Sequence, residues 1–125
     1  NLEIIDGQEP IVCFASDVGI AAIRPIIKEE ISKRELVLSH LSKGVMVFNN
    51  ELEDSAKYHA NLSYESSSSL SQSQDYLSDA VERYGNDATY LLAGQADDVN
   101  AMTKFLEDKG IDKKKIKTSR FRGLK

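Results

Sequence analysis

The fold is decided by residues 11–20, Ile11-Val12-Cys13-Phe14-Ala15-Ser16-Asp17-Val18-Gly19-Ile20. The first five residues are apolar without a break and include β-branched and aromatic side chains, which is typical of a strand buried on both faces. Residues Ser16–Gly19 end that run. From Ile20 the apolar residues recur at helical spacing, with Glu30 among the charged residues expected on the solvent side. The stretch therefore predicts a strand, a short turn and a helix.

The same change of period recurs along the chain. Further strands are predicted at Leu36–Leu38, Leu62–Tyr64, Thr89–Ala93 and Ile116–Thr118, and further helices at Asn50–His59, Tyr76–Tyr84 and 97–109. Ser66–Ser73 is predicted to be a polar loop. Because strands and helices alternate, the units are expected to be right-handed βαβ crossovers. We predict a doubly wound α/β domain with a mostly parallel five-stranded sheet and helices on both faces.

Composition limits the possible classes of protein. The chain has 125 residues, of which 41% are hydrophobic and 29% charged, so one folded domain is expected and wholesale disorder is not. No run approaches the roughly 20 apolar residues of a membrane-spanning helix. Cys13 is the only cysteine, which excludes a disulfide within this sequence. The two histidines, His40 and His59, lack zinc-ligand spacing, so no metal site is expected.

Charge is unevenly distributed along the sequence. Residues 112–125 contain seven basic side chains and one acidic one, although the whole chain has a formal net charge of −4. The remainder is thus strongly acidic, which argues against nucleic-acid binding. We expect 1–9 to be the end of a linker from a missing upstream region, 10–119 to be the domain, and 120–125 to be a basic tail that docks on a partner. A start without methionine indicates a processed or partial chain, and the compartment (plastid, mitochondrion or cytoplasm) stays open.

Two turns are the expected binding site. In doubly wound sheets, ligands bind at the carboxyl ends of the strands, where the strand order reverses. Ser16–Gly19 and 93–96 follow the first and fourth predicted strands. We therefore expect these two turns to lie side by side and to outline a crevice.

Both turns carry a family resemblance. Residues 15–22, Ala-Ser-Asp-Val-Gly-Ile-Ala-Ala, resemble the Gly-Gly-Thr-Gly-Ile-Ala-Pro-type turn of the ferredoxin–NADP reductase superfamily. Residues 90–95, Tyr-Leu-Leu-Ala-Gly-Gln, a helix and then Asp-Lys-Gly-Ile at 108–111 are similar to that family's strand, Cys-Gly-Pro turn and closing segment. Asn50-Glu51-Leu52 and Tyr76-Leu77 fall in the order of its middle segment. The resemblance covers nearly the whole chain.

The resemblance implies a function. In that superfamily this domain follows a flavin-binding β-barrel and presents NAD(P) to the flavin. It implies no catalytic side chain, and FAD would enter only through an upstream domain. Phe121 stands near the position of the family's terminal aromatic beside the flavin, or else packs the tail onto the body or onto a partner. The implied cofactor-binding positions are Ser16, Asp17, Val18, Gly19, Ile20, Ala21, Ala93, Gly94 and Gln95.

The sequence departs from the family pattern within this site. Ser16 and Asp17 occupy glycine positions, and an ionised Asp17 about 4 Å from a phosphate would repel it by ~4 kcal/mol, more than the ~0.3–1 kcal/mol that a helix dipole returns. The alternative is that Ser16 or Asp17 caps the helix. The family's arginine after the second strand is missing, and Lys43 either replaces it or is a solvated loop lysine. Ala93 replaces the family's cysteine.

Three hypotheses follow, and enzyme status stays open between them. The first is a pyridine-nucleotide-binding domain that positions NAD(P)H for hydride transfer to flavin, with an eroded nucleotide site. The second is a non-catalytic docking subunit of a larger electron-transfer complex, photosynthetic or respiratory. The third is a regulatory module that senses nucleotide weakly without turnover.

Overall fold

The computed structural model describes residues 2–4, 6–43 and 49–121. The strands are β1 (Ile11–Ser16), β2 (Leu36–Leu41), β3 (Leu62–Ser67), β4 (Thr89–Gln95) and β5 (Ile116–Phe121). The helices are α1 (Ile20–Glu30), α2 (Asn49–Tyr58), α3 (Leu70–Tyr84) and α4 (Ala96–Asp108). Three short 3-10 turns are Asp17–Gly19, Gly85–Asp87 and Lys113–Lys115.

The sheet has five strands in the order β3-β2-β1-β4-β5, and all neighbouring strands are parallel. The chain moves from the central β1 to β2 and β3 on one side, and then crosses to β4 and β5 on the other. In register, Ala15 of β1 lies between His40 of β2 and Ala93 of β4. This arrangement confirms the predicted doubly wound α/β fold, with a sheet that is parallel throughout.

Two apolar cores cover the two faces of the sheet, because β1 alternates its side chains between them. Ile11, Cys13 and Ala15 pack in the core that α1 and α2 cover. Val12 and Phe14 pack in the core that α3 and α4 cover. All five side chains are fully buried. Helices therefore lie on both faces, as the sequence predicts.

The predicted polar loop Ser66–Ser73 is wrong over most of its length. Strand β3 extends to Ser67, and α3 begins at Leu70. The Ser69 hydroxyl caps α3 by accepting a hydrogen bond from the Gln72 backbone N–H at 3.2 Å. Ser67 and Ser73 are buried, and their hydroxyls form a hydrogen bond at 2.6 Å that replaces the hydrogen bonds lost to water. Serine is a preferred N-cap residue, so a serine-rich stretch can begin a helix as readily as it forms a loop.

The carboxyl-terminal strand is longer than predicted. β5 extends to Phe121, which lies opposite Gln95 of β4 and is partly buried. The Arg120 guanidinium donates a hydrogen bond to Asn100 Oδ1 at 2.6 Å. The first two residues of the expected tail 120–125 thus belong to the sheet. The rest of that segment, 122–125, lies outside the described residues.

Glu30 differs from its predicted place on the solvent face of α1. It is only 3% exposed, and its carboxylate accepts a hydrogen bond from Arg34 Nε at 2.9 Å. Arg34 Nη1 also donates to the Glu9 carbonyl at 3.1 Å, ahead of β1. A buried carboxylate requires such a partner, and a periodicity argument that treats every charge as exposed cannot detect it.

Candidate functional site

The two predicted turns meet at the carboxyl edge of the sheet. A Cβ at Gly19 would lie 2.1 Å from the Ala93 carbonyl oxygen, and a Cβ at Gly94 would lie 2.4 Å from the Ser16 carbonyl oxygen. The backbones of the two turns therefore lie so close together that only glycine fits at residues 19 and 94. Because β1 leads toward β2 and β4 leads toward β5, this contact lies at the point where the strand order reverses.

The β1–α1 turn keeps a glycine-type backbone at Asp17, whose φ is +50°. Its carboxylate accepts a hydrogen bond from the Lys43 backbone N–H at 2.8 Å. Its carbonyl lies 3.2 Å from His40 Nε2, which must be the donor because a carbonyl can only accept. Asp17 is thus held by the segment that follows β2.

The capping interpretation of Ser16 and Asp17 is wrong. Neither the 3-10 turn nor α1 has a side-chain cap. The Ser16 hydroxyl instead donates to Asp98 Oδ2 at 2.5 Å, and the Asp17 carboxylate turns to the segment after β2. Long-range partners therefore take both side chains away from the helix amides that they could have capped.

Asp98 joins the two turns to Lys43. It lies in the first turn of α4 and is 5% exposed. The Lys43 ammonium donates to Asp98 Oδ1 at 2.8 Å and to Oδ2 at 2.9 Å. Lys43 is therefore an ion-pair residue over the site, and its side chain stays half-exposed to solvent. Asp17, Lys43 and Asp98 together leave one uncompensated negative charge beside the turns.

Asp98 is the main residue of the site that the sequence analysis missed. In the sequence it stands with Asp97 at the beginning of the predicted helix 97–109, where acidic residues complement the helix macrodipole. In the structure Asp97 is exposed and Asp98 is buried. Its place in the sequence could have indicated this role, because Asp98 stands three residues after Gln95, in the first turn of the helix that follows the predicted site.

The remaining predicted site residues divide by exposure. Val18 is 41% exposed and Ala21 is also exposed, so both border the turn from the solvent side. Ile20 and Ala93 are buried in the apolar core beneath α1, so only their backbones can face a ligand. Gln95 is half-buried at the end of β4.

The backbone of this site fits a dinucleotide better than its side-chain charges do. The beginning of α1 carries amides that can face an anion, and the neighbouring turn of β4 lies close enough to share one ligand. The carboxylates of Asp17 and Asp98 would repel an anionic pyrophosphate placed beside these turns. Lys43 is the cation that contacts Asp98, and Arg120 of β5 lies opposite Gly94 in the sheet.

The ranges that the structure describes contain no group of three or more His, Cys, Asp or Glu side chains arranged to hold a metal ion. Cys13 is fully buried, and burial raises the pKa of its thiol, so it has the character of a small apolar residue. None of the helices in those ranges has the length and apolar character needed to cross a membrane.

Comparisons with known proteins give the fold. No family model matches the chain, and no curated protein matches it. A cytochrome P450 reductase from Amycolatopsis is similar in structure, with a TM-score of 0.77 and 17% identity, over 96% of this chain and 40% of the reductase. Flavohemoglobin from Malassezia yamatoensis, solved with bound FAD and heme, is also similar in structure. Its TM-score is 0.72 and its identity is 17%, over 93% of this chain and 32% of the flavohemoglobin chain.

A third structure is the flavohem-like FAD/NAD-binding domain of nitric oxide dioxygenase from Vibrio cholerae. Its TM-score is 0.71 at 17% identity, over 98% of this chain and 55% of that one. The chain therefore spans between a third and little more than half of these proteins. It shares the fold of the matching parts of these proteins, and this is the fold that the resemblance in the sequence implies.

Proposed function

We propose that this chain is the pyridine-nucleotide-binding domain of a flavin-dependent oxidoreductase and positions NADH or NADPH for hydride transfer to flavin. The observation that carries the proposal is the contact of Gly19 with Ala93 and of Gly94 with Ser16. It puts two strand-ending turns side by side at the reversal of strand order, where α/β sheets bind ligands. The fold shared with a cytochrome P450 reductase and with the FAD/NAD-binding domain of a nitric oxide dioxygenase supports the same assignment.

The proposed roles follow from exposure. The turn Ser16–Gly19 and the first amides of α1 would receive the pyrophosphate, with Val18 and Ala21 along its path. Residues 93–95 would lie beside the nicotinamide. The nucleotide supplies the hydride, and the protein supplies its position. The flavin would belong to another domain or chain, and no described residue is assigned to it.

The test is a titration with NADH and NADPH that compares two substitutions at exposed apolar residues. Val18→Glu adds a negative charge at the turn, whereas Tyr58→Glu adds one at the end of α2, where Tyr58 is 83% exposed. A ligand at ~100 times its dissociation constant stabilises the folded state by ~2.7 kcal/mol, which thermal unfolding detects. We expect nucleotide to raise the melting temperature of the wild type and of Tyr58→Glu, but not of Val18→Glu. No shift at millimolar nucleotide, or equal shifts in all three, would contradict the proposal.

A second candidate function is a non-catalytic docking subunit of a larger electron-transfer complex. The ion pair between Lys43 and Asp98 favours it, because the site's cation already has a partner within the chain. If the chain is such a subunit, neither the wild type nor a variant without the Lys43–Asp98 ion pair binds NADH or NADPH. Such a result would leave the fold as a rigid body for assembly.

A further inference from the structure

Asp98 has the surroundings of a bound anion. Its carboxylate accepts one hydrogen bond from the Ser16 hydroxyl at 2.5 Å and two from the Lys43 ammonium at 2.8 and 2.9 Å. It also lies in the first turn of α4, where the helix dipole favours negative charge. A hydroxyl, an ammonium and a helix N-terminus are the groups with which proteins bind phosphate.

These groups come from three separate elements that converge only at the carboxyl edge of the sheet. Ser16 ends β1, Lys43 follows β2, and Asp98 follows β4. The carboxylate therefore links both turns of the proposed site to its cation. A ligand anion at these two turns would need the same partners.

Exposure shows how the two anions could exchange. The Lys43 side chain is 52% exposed, whereas that of Asp98 is 7% exposed. The ammonium thus lies on the solvent side of the pair and the carboxylate lies behind it. Solvent can reach Lys43 without any movement of Asp98, so an incoming anion can take over the ammonium by a rotation of the lysine side chain alone.

We propose that Asp98 is an internal competitor for the anionic part of the ligand: it occupies Lys43 and Ser16 in the free protein, and the ligand must displace it from Lys43. This inference rests on the proposed function, because it places the pyrophosphate of the nucleotide at these turns. Asp98 would then set how tightly these turns bind anions. It would act as a positioning residue for Lys43 and not as a catalytic one.

Inorganic pyrophosphate is the probe that tests this inference by calorimetric titration. Asp98→Asn removes the charge but keeps a carbonyl oxygen that can accept from Ser16, so we expect it to bind pyrophosphate at least tenfold more tightly than the wild type. The double variant Asp98→Asn with Lys43→Gln should lose that gain. Asp108→Asn, which breaks the exposed pair with Lys104 on the same helix, should bind like the wild type. Equal affinity of Asp98→Asn and wild type, or a gain that persists without Lys43, would overturn the inference.

A second variant covers the outcome in which Asp98→Asn does not fold, which circular dichroism would show. Lys43→Gln in the wild-type background should weaken pyrophosphate binding at least fivefold, and unchanged binding would refute the inference. Titrations with NADH and NADPH keep the two proposals apart. If Asp98→Asn gains pyrophosphate affinity but no variant binds nucleotide, the proposed function fails and the competition stands. If nucleotide binds and Asp98→Asn binds pyrophosphate no better than wild type does, only the competition fails.

Discussion

Gly19 lies against the carbonyl group of Ala93, so closely that a Cβ at residue 19 would be 2.1 Å from the carbonyl oxygen. The backbone of Gly19 has an ordinary helical conformation, with φ at −58°. The requirement for glycine is therefore one of space and not of φ. It arises because the turn after β1 and the turn after β4 pack backbone to backbone.

Gly19→Ala should destabilise the domain by about 1–3 kcal/mol, the usual cost of overpacking, because backbone atoms must separate to admit the methyl group. Urea unfolding monitored by circular dichroism measures the loss. A loss below about 0.5 kcal/mol, the usual effect of a substitution that meets no such obstacle, would show that the two turns are not in contact.

At Asp17, replacement by glycine should cost less stability than replacement by alanine, whereas at a helical residue alanine should cost less. Both Asp17→Ala and Asp17→Gly lose the hydrogen bond from the Lys43 backbone N–H, but glycine adopts the φ of +50° without strain. We expect the glycine variant to be about 1 kcal/mol more stable than the alanine variant. At exposed Asp54 in α2 the order should reverse by a similar amount, because glycine disfavours helix. Unfolding midpoints of the four variants provide the comparison.

The buried pair of Glu30 and Arg34 should be costly to break. Their side chains are 3% and 2% exposed, so Glu30→Gln breaks a buried ion pair and should lower the free energy of unfolding by about 3–5 kcal/mol. Glu30→Leu combined with Arg34→Met should cost less than the sum of the two single changes. The solvent-exposed pair of Lys104 and Asp108 has the same helical spacing, and Asp108→Asn should cost no more than about 0.5 kcal/mol. Equal losses at the two pairs would mean that Glu30 is exposed to water.

Tyr90 should make stability fall at alkaline pH. Its hydroxyl donates to the Gly85 carbonyl at 2.8 Å, and burial raises its pKa from 10.0 to about 12. Because the pKa is higher in the folded state, this contribution is complete below pH 10 and is lost as the pH rises to about 12. Tyr90→Phe should reduce the decline in unfolding free energy between pH 8 and about 11.5, whereas exposed Tyr58→Phe should leave it unchanged. Burial also raises the pKa of Tyr64 and Tyr76, so some decline should persist.

Cys13 should react with thiol reagents only after unfolding. The side chain is fully buried in β1, and burial raises the pKa of the thiol, so thiolate is scarce in the folded protein. Labelling with iodoacetamide, followed by mass spectrometry, should be slow without denaturant and complete in 8 M urea. Rapid labelling of the native protein would contradict the central position of β1.

Most of the fold could be predicted from the change between apolar runs and helical spacing. Ile11–Ala15 lies in the centre of the sheet, where both faces are covered, and a continuous apolar run is typical of that place. The errors concern polar residues with distant partners. Ser73 and Glu30 are polar in type but buried in fact, because Ser67 and Arg34 satisfy them. Their hydrogen bonds depend on tertiary structure, which local patterns do not contain.

The site could be predicted only in part, for the same reason. The positions of Gly19 and Gly94 follow from the topology, since two parallel strands that are neighbours end at the same edge. The partner of Ser16 is Asp98, which is far away in sequence and joins it only when β1 and β4 pair. The hydrogen bond between the Asp17 carboxylate and the Lys43 backbone N–H likewise forms only when β1 and β2 pair. No local spacing encodes either contact.

The central position of β1 also bears on biosynthesis. On the ribosome, β1, α1, β2 and β3 are made early and can assemble as a half-sheet, whereas β4, the second neighbour of β1, is made much later. Until then, one edge of the most apolar strand of the nascent chain stays open to other polypeptides. The interval between translation of β1 and translation of β4 is thus when a chaperone would protect this protein most.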